Sequence, residues 1–249
     1  MTANEQEQAS GSGVSSVWAR PRRQKEQPAL SREQIVAAAI ELLDAEGIEA
    51  LSMRKLGTRM GAAATSLYRH VANKDELIEL VVDEVYGELE VPDLRDPADW
   101  RAAVARSGHS LREVALRHPW VAAVLGQVGL AHLGPNLMRM SERMLALFQR
   151  AGFPAGEPEP AMKAVIAYVV GSATSEAAYL SLLARSGQDE REWVRSLTPA
   201  AEQALADHPL MRENASAARR GDPRRVREEN FDYGLQRVLD GLETRLPGR

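Results

Sequence analysis

A chain of 249 residues without a cysteine excludes a disulfide scaffold and any cysteine-ligated zinc or iron–sulfur site, and fits a reducing cytoplasm. Its 44% hydrophobic content is ample for a packed core in one or two domains of about 100–200 residues each. The net charge of −4 is unevenly spread: residues 16–75 hold 10 Lys and Arg against 7 Asp and Glu, a net of +3, which leaves 21 basic and 28 acidic residues, a net of −7, for the rest. A basic N-terminal segment on an acidic body gives only the first part a polyanion as partner.

The opening "MTANEQEQAS" is polar and acidic, unlike a signal peptide. Residues 1–29 contain little that can bury a core and carry "RPRRQK", so they read as a flexible basic arm whose Arg20, Arg22, Arg23 and Lys25 can follow a narrow DNA groove. Ser31 with Gln34 forms a capping box. Ile35, Ala38, Ala39, Leu42 and Leu43 then recur at helical spacing until Gly47. Ser52 caps a second, short helix with Met53, Leu56 and Met60 inward, and Gly61 makes the turn. Leu67 and Val71 mark a third helix. Asn73 caps a fourth, with Glu76 completing the box and Leu77, Leu80, Val81 and Val85 as its stripe.

On a helical wheel of about 100° per residue with Leu67 facing the core, Val71, Ala63 and Ala64 join the inner face, and Thr65 and Arg69 lie opposite, one turn apart. Ser66 and Tyr68 lie on the flanks. Two short helices joined by a glycine turn, the second with a tight polar outer face, make a helix-turn-helix suited to the major groove. Arg69 can grip guanine O6 and N7, and Thr65 can bond a base or pack its methyl on thymine. Tyr68 and His70 can reach phosphates; so can Lys74, in the first turn of the fourth helix, and Ser52 and Arg54 at the start of the second.

Beyond Pro97 every segment reads as helix: 98–118, about 120–131, 135–151, 160–186, 189–197, 199–207 (parted from its neighbour at Thr198-Pro199) and 223–246. No sustained period-2 alternation marks a sheet. "AVIAYVVGSATSEAAYLSLL" contains Glu176 and several hydroxyls and is a poor membrane span. Its small residues Ala167, Gly171 and Ala178, with the stripe Phe231, Leu235, Val238 and Leu242, suit a dimer interface of paired helices. Periodicity equally allows both stripes to pack on their own core. Large or polar groups on otherwise apolar helices make the candidate ligand pocket: His109, Trp120, His132, Asn136, Met140, Met144, Phe148, Ser172, Ser175, Glu176 and Tyr179, with His109 and Glu176 foremost. The five histidines show no metal spacing, and no nucleotide loop or nucleophile elbow is present, so neither metal nor cofactor is expected.

The run "IVAAAIELLDAEGIEALSMRKLGTRMGAAATSLYRHVANKDELIELVVDEVYGEL" resembles the DNA-binding domain of the tetracycline-repressor (TetR) family, and "FDYGLQRVLDGLE" resembles the closing helix of the subfamily around the tetracycline repressor. The arm resembles extensions in TetR-like regulators of antibiotic export. The resemblance implies an all-α fold: an arm over 1–29, a three-helix DNA-binding domain over 30–76 with a linker helix to about 90, and a ligand-binding and dimerisation domain over 77–249. It implies a cytoplasmic homodimer on a palindromic operator, released by a small-molecule effector. It also places Thr65, Ser66, Tyr68, His70 and Lys74 on family DNA-contact positions. Ala63 and Ala64 depart from the polar readers common in relatives, and Arg69 stands where an aromatic is common. The residues alone leave open an architectural DNA-binding protein or a helical enzyme with scattered catalytic groups.

Overall fold

The computed structural model describes residues 30–121, 124, 134–218 and 221–247, all helix, turn or irregular, with no strand among them. The basic arm and nearly all of the helix expected at about 120–131, with His132 just beyond it, lie outside the described residues. The helices are α1 (Arg32–Glu46), α2 (Met53–Arg59), α3 (Ala64–Leu67), α4 (Lys74–Tyr86), α5 (Trp100–Arg117), α6 (Pro135–Arg150), α7 (Pro158–Ser186), α8 (Glu190–Ala204), α9 (Pro209–Ala218) and α10 (Pro223–Glu243).

Side-chain caps start three of the first four, α1, α2 and α4. Gln34 N–H donates to Ser31 Oγ at 3.2 Å and Ser31 N–H donates back to Gln34 Oε1 at 3.1 Å. The Asn73 cap differs in its second arm: Glu76 N–H donates to Asn73 Oδ1 at 2.8 Å, but the Glu76 carboxylate reaches past the cap to Ala72 N–H at 2.6 Å. Ile35, Ala39, Leu42 and Leu43 of α1, Leu56 of α2, Leu67, Val71, and Leu77 and Val81 of α4 close a dry core for this small domain.

The wheel misplaces Ala63 and runs the helix too far, since α3 ends at Leu67 and Arg69 and Val71 lie beyond it. Ala63 is the exposed N-cap of α3 with extended backbone (φ −70°, ψ 141°), so helical geometry does not reach it. The close approach between α2 and α3 comes from Gly57, where an added Cβ would lie 2.8 Å from the carbonyl oxygen of Ala62 and 3.3 Å from the N of Ala64. Both are backbone atoms that no side-chain rotation can clear. Gly57→Ala is therefore expected to destabilise this four-helix unit by about 1–3 kcal/mol, read as a lower unfolding midpoint.

In the body, α7 packs against α5, α6 and α10. Trp100, Phe148 and Phe153 form an edge-on aromatic centre, with Phe153 5.3 Å from Trp100 and 5.2 Å from Phe148 between ring centroids. The expected break at Thr198-Pro199 is absent: Pro199 lies inside α8. A proline removes one helical N–H and crowds the carbonyl four residues back. In α8 the carbonyl that loses its donor is that of Arg195, and the helix runs on; the Thr198 hydroxyl bonds the next carbonyl back, Val194 O, at 3.1 Å. The real break comes at Leu205–His208, after which α9, which the sequence pattern did not announce, begins at Pro209.

Candidate DNA-contact surface and effector cavities

The reader surface is built on α3 and the turn that follows it. Leu67 and Val71 are buried and pin the segment. Thr65, Tyr68 and Arg69 are exposed, and Ser66 and His70 are half-buried. Ser52 caps α2, accepting from Lys55 N–H at 3.2 Å, and remains exposed. The cations divide into two sets. Lys55 is ion-paired with Glu46, and Arg59 with Glu41 at 3.2 Å. Arg54, Arg69 and Lys74 are exposed and make no side-chain hydrogen bond or ion pair among the described residues. A solvated cation without an internal partner gives up little when it meets a phosphate or a guanine edge.

The expected ligand residues separate into distinct places. Ser172, Ser175, Glu176 and Tyr179 share one face of α7 and line a cavity of about 440 Å³, closed by Val194 of α8 and by Val226, Arg227 and Phe231 of α10. Burial, then its hydrogen bond to Glu190 and that carboxylate's charge, push the Tyr179 phenol up to about 12, so its hydroxyl stays protonated. Arg227 lies over the Tyr179 ring at 5.4 Å, and Trp193 meets it edge-on at 5.2 Å. Glu176 is not a free ligand group. Arg112 donates to it twice, from Nε and Nη2, each at 2.8 Å; Arg227 Nε adds a third bond at 3.1 Å, and Arg227 also pairs with Glu190. Met140 and Met144 line a second, small cavity of about 40 Å³ between α5, α6, α7 and the end of α4 at Tyr86 and Leu89.

The remaining four line neither cavity. Phe148 belongs to the aromatic centre. His109 Nε2 is 2.9 Å from Asp232 Oδ1 on α10. Asn136 stands at the start of α6, where Asp83 of α4 accepts from the N–H groups of Asn136 and Leu137 at 3.0 Å each. Gly134 leaves room for that carboxylate, which a Cβ would meet at 2.1 Å. Trp120 donates from Nε1 to Asp44 of α1 at 2.7 Å. Helical spacing says which face a residue occupies, not what lies across from it. The same limit hid Arg112; its only trace is a charge within the apolar stripe of α5 that includes Leu111, Val114 and Ala115.

Of the expected dimer residues, Ala167, Gly171 and Ala178 are exposed on α7. Phe231 and Leu235 are 2% and 0% exposed in this chain's own core, with Val238 and Leu242 packed beside them. The α10 stripe faces inward because α5 and α7 cover it; Tyr233, at 67% exposed, lies on the outer side. Against the reading of this stretch as a poor span, α7 is by length and composition long and apolar enough to cross a membrane, and 17% of its most apolar stretch is buried. An apolar helix of small residues left this open is a surface another chain can cover.

A four-residue reader helix held over a dry core, three unpaired cations around it and a drug-sized cavity in a separate helical body define a helix-turn-helix DNA-binding regulator. The sequence profile for "Bacterial regulatory proteins, tetR family" matches residues 35–81, and that for "Tetracyclin repressor-like, C-terminal domain" matches residues 92–246. The chain belongs to the TetR family of transcriptional regulators and is not an enzyme. It is similar to an HTH-type transcriptional regulator of Saccharopolyspora erythraea, 37% identical over 97% of each chain. It is also similar to the HTH-type transcriptional repressor DrrR1 of Streptomyces coeruleorubidus, 36% identical over 87% of this chain and 78% of that one. Among solved structures, ActR of Streptomyces coelicolor in complex with actinorhodin superposes with a TM-score of 0.68 at 28% identity, over 89% of this chain and 99% of the other.

Proposed function

We propose that this protein is a repressor that binds a palindromic operator as a homodimer and is released when an amphipathic, multi-ring small molecule enters the body. The observation that carries the reading is the pairing of a reader face bearing Arg54, Arg69 and Lys74 without internal partners with a cavity of about 440 Å³. Cavities of about 300–1,000 Å³ hold drug-sized ligands. Tyr179, Phe231 and Val226 supply apolar walls, and Ser172 and Ser175 supply hydroxyls that fix orientation. The relatives support the direction: one is named a repressor, and ActR was solved in complex with actinorhodin. The open stripe of Ala167, Gly171 and Ala178 is the surface on which the two copies meet. The genes controlled are those of an exporter or a biosynthetic step, and the protein acts in the cytoplasm.

Footprinting on the DNA upstream of its own and flanking genes tests this. One discrete palindrome is expected, whereas broad coverage identifies an architectural protein. Gel shift with actinorhodin as the probe, run beside size-exclusion chromatography, should show loss of the DNA complex with the dimer intact. Release through monomers would contradict the mechanism.

The arm is part of the proposal. Arg20, Arg22, Arg23 and Lys25 enter the minor groove beside each half-site. Deleting residues 1–29 leaves the capping box of α1 whole, so folding and dimerisation are expected to survive. The plot of log affinity against log salt should become shallower by about 0.9 for every phosphate that the arm no longer neutralises. An unchanged slope and affinity would reduce the arm to a tail.

A further inference from the structure

We propose that His118 is a positioning residue for DNA binding: a two-sided clamp that ties the DNA-binding domain to the body and is completed by its second proton. The inference rests on the proposed operator binding. His118 is the C-cap of α5 and 3% exposed. Its Nδ1 lies 2.7 Å from Asp44 Oδ1 on α1, and its Nε2 lies 3.2 Å from Glu88 Oε1 in the segment that leaves α4. The other groups at this joint are accounted for. Trp120 Nε1 donates to the same Asp44 oxygen at 2.7 Å, and Arg117 pairs with the other Glu88 oxygen. Glu46 and Glu49 stand in the adjoining groove, with Glu46 held by Lys55.

Carboxylates only accept hydrogen bonds, and a neutral imidazole has one N–H. A neutral His118 can therefore serve Asp44 or Glu88, leaving a lone pair against a carboxylate on the other side. The imidazolium serves both. Asp44 sits near the end of the first helix of the DNA-binding domain, and Glu88 just past the helix that carries Lys74. With both bonds made, α5 grips the small domain at two points. With one, the joint loses a bond at one point, where only Trp120 on Asp44 or Arg117 on Glu88 still holds it. Operator binding demands fixed spacing of two reader helices, so a domain already held in place binds more tightly. The clamp is complete when the ring carries both protons and loses one arm when it carries one.

The test is an operator titration at constant ionic strength from about pH 5 to pH 8. It uses the full-length dimer and the operator found by footprinting, for the native protein, His118→Gln and Glu88→Gln. Each is measured with and without His70→Gln, which removes the imidazole on the reader face. The native clamp is expected to lose about fivefold in operator affinity from the acid to the alkaline end, while both variants stay flat. A merely structural histidine would change stability without changing the slope. If His118→Gln fails to fold, Glu88→Gln gives the same readout with the imidazole in place. A native slope equal to that of the variants, or of opposite sign, overturns the clamp. Absence of any discrete operator overturns the repressor reading instead.

Discussion

Replacing Glu176 by leucine is expected to lower the unfolding free energy by about 3–5 kcal/mol, the range for removing one partner of a buried ion pair. Its side chain is 10% exposed, and those of Arg112 and Arg227 are 11% and 20% exposed. Leucine would leave the Arg112 guanidinium without its carboxylate between Phe231, 4.8 Å away, and α7. Arg227 would keep Glu190. The double variant Glu176→Leu with Arg112→Met removes both buried charges and should recover most of the loss, since buried pairs exchanged for packed apolar groups are often neutral. Urea unfolding of the two variants decides this. A loss below about 1 kcal/mol for the single variant would mean that water reaches the cluster from the cavity and screens it. Operator affinity, measured well below the unfolding transition, should stay within a few fold, because nothing in this cluster touches the reader helices.

Arg69→Ala should cost about 1–3 kcal/mol on the specific operator and relax preference at one base position in each half-site. The side chain is exposed and has no partner among the described residues, so its removal leaves the fold untouched. Lys74→Ala should weaken operator and scrambled DNA alike, as expected of a phosphate contact at a helix start. Lys55→Ala is the matched control, because Lys55 is already engaged with Glu46. Titrations on operator and scrambled duplexes separate the three. Equal loss on both duplexes for Arg69→Ala would make Arg69 a phosphate contact and move specificity elsewhere on the reader.

The features legible in the sequence are those whose physics closes within a turn or two of helix. Ser31 with Gln34, Ser52 with Lys55 and Asn73 with Glu76 are contacts over three residues, so α1, α2 and α4 start where the residues say. The outward placement of Thr65 beside buried Leu67 follows from helical spacing, whereas Tyr68 and Arg69 lie at and beyond the end of α3, in the turn. The body is different. Glu176 meets Arg112 across 64 residues, Trp120 meets Asp44 across 76, and Asn136 meets Asp83 across 53. No local pattern carries such pairings. Each of these residues reads as a polar or aromatic group on an apolar face, which describes a pocket wall, an ion pair and a helix cap equally well. The stripe of Phe231 and Leu235 is likewise ambiguous between a second copy and this chain's own core, and only the packing of α5 and α7 over α10 resolves it. Gly57 carries no sequence signal because its constraint is a backbone atom of Ala62 lying 2.8 Å from where a Cβ would stand. Single-element chemistry therefore determined the DNA-binding half, and the meeting of distant elements decided the cavity, the clamp at His118 and the face left open on α7.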